Sequence, residues 1–137
     1  MSNLFCYGTL MYKPLLRALL ERDLSAEPAT LEGYACFAIR SAAYPGIVAA
    51  EGNRVSGLLV RDIPPGAWLG LDRYEGEFYR RETVAVVLAD DSEVEASTYV
   101  MRPRFRSRLS QRAWQYGPEA ERYAAAQCEA LLQRKGR

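Results

Sequence analysis

The sequence predicts an α+β fold in which a mixed sheet curls toward a β-barrel, with flanking helices and a helical C-terminal tail. Three observations carry this. Strand-like runs crowd the first hundred residues. Their order with the intervening helices lacks the regular alternation that builds a doubly wound parallel sheet. The last third of the chain then turns helical. At 137 residues and 49% apolar content the chain is one domain, residues 1–137, long enough to bury roughly two-thirds of its unfolded surface. No internal repeat or linker interrupts it.

The elements follow in order. Asn3 to Tyr7 reads as a short buried strand stopped by Gly8. Pro14 suits the first turn of a helix carrying Leu15, Leu16, Ala18, Leu19 and Leu20. Ala29 to Ile39 is an aromatic-rich strand with a bend at Gly33. Tyr44-Pro45-Gly46 reads as a turn or irregular edge before the apolar Ile47-Val48-Ala49, and Val55 to Val60 as a further strand. Pro64-Pro65-Gly66 opens a short helix from Ala67 to Tyr74 or Glu75, closed by Gly76. Thr83 to Leu88 and Glu93 to Val100 form a hairpin across Ala89-Asp90-Asp91-Ser92. Ser110 is placed to cap a helix through Trp114. A second helix from about Pro118 to Gln133 sets Ala120, Tyr123, Ala124, Gln127, Cys128 and Leu131 on one stripe.

Composition narrows the function. A net charge of +1 gives no global field for a nucleic acid or a membrane. Apolar runs such as Val84–Ala89 fall far short of a membrane span. The start, Met-Ser-Asn-Leu-Phe, has neither the basic nor the apolar region of a signal peptide. Three cysteines, Cys6, Cys36 and Cys128, stand far apart without a C-x-x-C pair, the pattern of reduced thiols in a cytoplasmic protein. The chain has no histidine, which removes histidine triads, imidazole metal ligands and the commonest base near neutral pH. Any catalysis must use carboxylates, hydroxyls, thiols, amines and backbone groups.

Two segments have the chemistry for a site. Tyr7-Gly8-Thr9-Leu10 follows the first strand, where glycine lets the backbone approach a ligand and successive amides can face one cavity. The same four residues also make an ordinary tight turn. Leu71-Asp72-Arg73-Tyr74-Glu75-Gly76 puts Glu75 in the last turn of a helix, against the negative ends of its carbonyls. Asp72, three residues earlier, adds repulsion, and both raise the carboxyl's pKa. A solvated acidic turn is the plainer reading.

Together these segments resemble the γ-glutamylcyclotransferase superfamily, in particular its plant and bacterial avirulence-induced-gene-like branch. The hallmarks are a Tyr-Gly-Ser/Thr-Leu loop after the first strand, then Leu-Asp-x-x-Glu and Tyr-x-Arg-x-x-Val. Here they read Tyr7-Gly8-Thr9-Leu10, Leu71-Asp72-Arg73-Tyr74-Glu75 and Tyr79-Arg80-Arg81-Glu82-Thr83-Val84. Leu31-Glu32-Gly33-Tyr34, Tyr44-Pro45 and Val55-Ser56-Gly57 fall between them in the family's order. The resemblance covers about residues 3 to 100 and the helical tail more loosely.

It implies a mixed β-barrel with a cavity beside the first loop and release of 5-oxoproline from a γ-glutamyl amine or peptide. Glu75 would be the acid/base, and Tyr7, Gly8, Thr9, Leu10, Met11 and Tyr12 the substrate loop. In that reaction the substrate's own α-amine attacks its γ-carbonyl, so no enzyme nucleophile, metal or cofactor is called for. One carboxylate with a raised pKa can make both proton transfers, and backbone amides can serve the oxyanion. Arg81 could hold a substrate carboxylate, or pair with a structural acid in the barrel wall. The expected partner is a small γ-glutamyl substrate, with no membrane or nucleic acid, in a monomer or homodimer.

Two other readings stand beside this one. One is a family relative that binds a small metabolite without catalysis. The other is a weak nucleic-acid binder using Arg102, Arg104, Arg106, Arg108 and Arg112 around Phe105, a stretch that otherwise reads as a solvated connection.

Overall fold

The computed structural model describes residues 2–135. Six strands run Ser2–Cys6 (β1), Ala26–Ile39 (β2), Pro45–Ile63 (β3), Tyr79–Leu88 (β4), Glu93–Met101 (β5) and Leu109–Ala113 (β6). The helices are Lys13–Leu20 (α1), Trp68–Glu75 (α2) and Pro118–Lys135 (α3), with short 3₁₀ turns at Thr9–Met11, Pro65–Ala67 and Pro103–Arg108. The sheet order is β3-β1-β5-β4-β2-β6, and β2 also pairs with β3. That extra pairing closes a five-stranded barrel and leaves β6 as an appendage of β2. The β1–β5 pair is parallel and the other pairings are antiparallel, so the sheet is mixed.

Closure depends on two long strands that bend. Gly33 on β2 stands opposite a four-residue excursion of β3: Glu32 pairs with Arg54 and Tyr34 with Ala49. Gly33 and Gly52 have φ of 82° and 85°, a left-handed conformation that glycine adopts without steric cost. Beyond the bend, β2 leaves β4 and takes up β6.

Alternation along β1 divides the core. Phe5 and Tyr7 join an interior cluster with Leu31, Ile47, Leu59 and Val86. Leu4 and Cys6 point the other way, to an outer cluster with Leu15, Leu16, Leu71 and Ala124 beneath the helices. Gly57 of β3 is required by this crossing, because a Cβ there would lie 2.2 Å from the Cys6 carbonyl oxygen.

Two local expectations are corrected. Ser110 does not start a helix: Leu109–Ala113 is strand β6, with Ile39 opposite Leu109 and Phe37 opposite Ala113. The open edge of β2 supplies backbone partners that an isolated five-residue helix lacks. Ser110 Oγ accepts from the Arg112 amide, as a cap would, but also donates to the Ala38 carbonyl at 2.8 Å, which ties it to the sheet. Tyr44 lies in the bend ahead of β3, as expected, but Ile47-Val48-Ala49 and Val55 to Val60 are not separate runs. Pro45 is the first residue of β3, a strand position that proline tolerates, and the strand runs unbroken through both expected apolar runs.

Candidate active site

One end of the barrel, roofed by α2 and α3, opens into a cavity of about 230 Å³. Each of its walls comes from a different part of the chain. Gly8, Thr9 and Leu10 follow β1, Tyr44 and Pro45 open β3, and Tyr74, Glu75, Glu77 and Phe78 surround the end of α2. Tyr79 and Tyr99 come from β4 and β5, and Tyr123 and Gln127 from α3. Six of the nine tyrosines line this one space. Among the described residues no lysine or arginine does.

The helix end aims Glu75 inward. Buried Leu71 holds α2 to the barrel, and Gly76, with φ of 82°, ends the helix by donating its amide to the Asp72 carbonyl at 3.0 Å. Glu75 is part-buried, with its carboxyl among the tyrosines.

Four neighbouring hydroxyls are committed elsewhere. Tyr7 donates to the Tyr99 carbonyl at 2.5 Å, Tyr79 to the Pro45 carbonyl at 2.6 Å, and Tyr99 to Asp72 Oδ1 at 2.7 Å. Tyr74 shares a hydrogen bond with Thr9 at 3.1 Å. An ionised Glu75 therefore gains little hydrogen bonding in return for the water it loses. Burial first, and the charge of Asp72 second, push its carboxyl up to about 8. Burial likewise pushes the Tyr7, Tyr79 and Tyr99 phenols and the Cys6 thiol up, so all four are neutral around Glu75.

The loop opposite is equally constrained. A Cβ on Gly8 would come within 3.1 Å of the Pro45 ring, so glycine lets the loop lie close beneath β3. The next residues form the Thr9–Met11 turn, which has no side-chain cap, and the first amides of such a turn lack intrahelical partners. A carboxyl able to take or give a proton near neutral pH thus shares a small aromatic cavity with a backbone segment suited to an anion or oxyanion.

A family model described as "Gamma-glutamyl cyclotransferase, AIG2-like" matches residues 4–123. The chain belongs to this family.

AIG2-like protein D of Arabidopsis thaliana is 36% identical over 102 residues, 73% of this chain and 67% of that protein. Across further Arabidopsis AIG2 relatives the matched stretch spans between 54% and 60% of their own length. A solution structure from Arabidopsis thaliana superposes with a TM-score of 0.71 at 27% identity, covering 98% of this chain and 80% of that one. A yeast γ-glutamyl cyclotransferase specific to glutathione shares the fold, with a TM-score of 0.64 at 14% identity over 96% of this chain and 86% of that one.

The cavity gathers most of the AIG2-like loop expected from sequence: Tyr7, Gly8, Thr9 and Leu10 line it together with Glu75. Met11 and Tyr12 lie against the outer core instead. Arg81 is placed outside the lining. Its guanidinium pairs with Asp72 at 3.4 Å and lies 4.6 Å over the Trp68 ring.

The Arg102–Arg112 stretch forms a 3₁₀ turn and β6. Phe105 meets Phe78 at 4.8 Å, and Arg108 lies over both rings. Tyr44, Tyr74, Tyr99, Tyr123 and Gln127 line the cavity without a local motif that marks them. The available signal was the number of tyrosines, nine in 137 residues, but their convergence requires the closed barrel. No helix among the described residues is long and apolar enough to cross a membrane.

Proposed function

We propose that this chain is a γ-glutamylcyclotransferase, closing a γ-glutamyl group to 5-oxoproline and expelling an amine, with Glu75 carrying the protons. The observation that carries this reading is the Glu75 carboxyl, raised to about 8 inside a cavity that also contains Gly8, Thr9 and Leu10.

The substrate is a small γ-glutamyl compound whose γ-glutamyl end enters the cavity. Its ammonium lies against Glu75, which in its ionised form removes a proton. The freed amine attacks the γ-carbonyl carbon four bonds away along the same molecule, closing a five-membered ring, and confinement holds it in the attacking shape. Negative charge gathers on the carbonyl oxygen, where the amides around Thr9 and Leu10 meet it. Protonated Glu75 then gives its proton to the departing nitrogen as the C–N bond breaks, the carboxylate is restored, and the second proton left on the ring nitrogen passes to the released amine, which leaves as its ammonium. A carboxyl titrating near the working pH suits both transfers, whereas one at 4.5 would hold the proton too weakly to deliver it.

The test is 5-oxoproline release from a panel of γ-glutamyl amino acids, glutathione and ε-(γ-glutamyl)lysine, with the liberated amine quantified alongside. One equivalent of each product from at least one compound is expected. Release from none of them would overturn the assignment.

A further inference from the structure

We propose that Asp72 and Arg81 form a positioning latch that fixes the Glu75-bearing helix against the barrel wall. Arg81 then acts through Asp72 and does not touch the substrate. This rests on the reading of Glu75 as proton carrier and concerns what holds that carboxyl in place.

Asp72 is bound at both its backbone and its side chain, and the two bonds point to different parts of the fold. Its backbone carbonyl receives the Gly76 amide at 3.0 Å, the bond that ends α2 directly after Glu75. Its carboxylate receives the Tyr99 hydroxyl from β5 at 2.7 Å and the Arg81 guanidinium from β4 at 3.4 Å. Tyr99 in turn lines the cavity, and its carbonyl accepts the Tyr7 hydroxyl at 2.5 Å. One residue therefore joins the helix turn that aims Glu75 to two strands and, through Tyr99, to Tyr7, the first residue of the expected substrate loop. Arg81 completes the joint by placing its guanidinium over the ring of Trp68, the first residue of α2, at 4.6 Å. Its guanidinium thus touches the first residue of that helix and a residue one turn later, Asp72, on the same face, which a lysine's point charge would not reproduce.

Exposure distinguishes this role from simple stabilisation. The side chains of Arg81 and Asp72 are 37% and 43% exposed, and an ion pair in that setting contributes little to folding. Displacing a proton carrier by about 1 Å, by contrast, is enough to lose roughly a hundredfold in rate.

Charge gives the latch a second signature. Of the groups that face Glu75, Cys6 at the end of β1, Tyr7 just after it, Tyr74 on α2, Tyr79 on β4, Tyr99 on β5 and Tyr123 on α3 are all held neutral by burial first. Glu77 lies exposed on the rim. Asp72 supplies the charge that adds to burial in raising Glu75, and the Arg81 guanidinium stands 3.4 Å from that carboxylate.

The experiment compares Arg81→Ala, Arg81→Lys and Asp72→Asn with the wild type on γ-glutamyl substrates, recording kcat and KM across pH. Arg81→Ala should lower kcat at least tenfold while KM moves less than about threefold, and Arg81→Lys should recover only part of the loss. The acid limb of the profile should shift up in Arg81→Ala, which leaves the Asp72 charge unopposed, and down in Asp72→Asn, which removes it. A tenfold rise in KM with kcat retained would put Arg81 on the substrate and overturn the latch. Unchanged kinetics and profile in Arg81→Ala would overturn it too.

Should the wild type release no 5-oxoproline, the reading of the reaction fails. The latch is then judged by NMR titration of the Glu75 carboxyl in the same variants. Opposite shifts sustain it, and coincident curves refute it.

Discussion

Replacing Glu75 by Gln removes a carboxyl that the fold holds neutral, so its effect on stability must depend on pH. Burial, reinforced by Asp72, lifts Glu75 from 4.5 to about 8. The unfolded chain releases that proton near the ordinary value. Between the two values the folded protein therefore carries a proton that the unfolded chain has lost. Stability falls as pH rises through this window and levels off above it. At about 1.4 kcal/mol per tenfold change, the full span is on the order of 5 kcal/mol. Water at the cavity mouth screens a share of this, leaving about 3–5 kcal/mol, a large part of a typical domain's total.

Glutamine keeps the shape and has no proton to lose. Chemical unfolding of both proteins at pH 5, 7 and 9 isolates the effect, since the remaining groups titrate in both and cancel in the difference. The variant should exceed the wild type by less than about 1 kcal/mol at pH 5 and by roughly 3–5 kcal/mol at pH 9. Parallel curves for the two proteins would refute the reasoning, because they would mean that Glu75 ionises as it does in water.

Two further substitutions test the fold and the basic stretch. Gly57→Ala would place a Cβ 2.2 Å from the Cys6 carbonyl oxygen and 2.7 Å from the Phe5 ring, forcing β1 and β3 apart. A loss of about 3 kcal/mol in chemical denaturation is expected, and unchanged stability would contradict the close crossing of these strands. Arg104→Ala combined with Arg106→Ala should leave kcat/KM within about threefold, because both side chains are exposed and Arg104 rests only on Phe105 at 4.7 Å. A tenfold loss would bring the stretch into the site.

Local signals in the sequence match the structure where the chain itself supplies the cause. Pro14 sits in the first turn of α1, Gly76 ends α2 and places Glu75 in its last turn, and Gly33 marks the bend in β2. The stripe on α3 buries Ala120, Ala124 and Cys128 as its spacing requires. Where a distant segment decides the outcome, local pattern was not enough. Ser110 to Trp114 has the start of a helix, yet the free edge of β2, some seventy residues away, makes Leu109–Ala113 a strand.

The cavity behaves in the same way. Glu75 and the Gly8 loop carry their chemistry in adjacent letters. Tyr44, Tyr99 and Tyr123 meet only because β3, β5 and α3 converge at one barrel end. The cause of the raised carboxyl illustrates both sides. The effect of Asp72 could be counted along the helix, while the larger effect, burial among tyrosines, belongs to the closed barrel.

The most direct measurement separates binding from turnover in Glu75→Gln, using the best γ-glutamyl substrate for both calorimetric affinity and 5-oxoproline release. Glu75 as proton carrier predicts affinity within a few-fold of wild type and turnover lower by roughly a thousandfold or more. Turnover equal to wild type in that variant would contradict it.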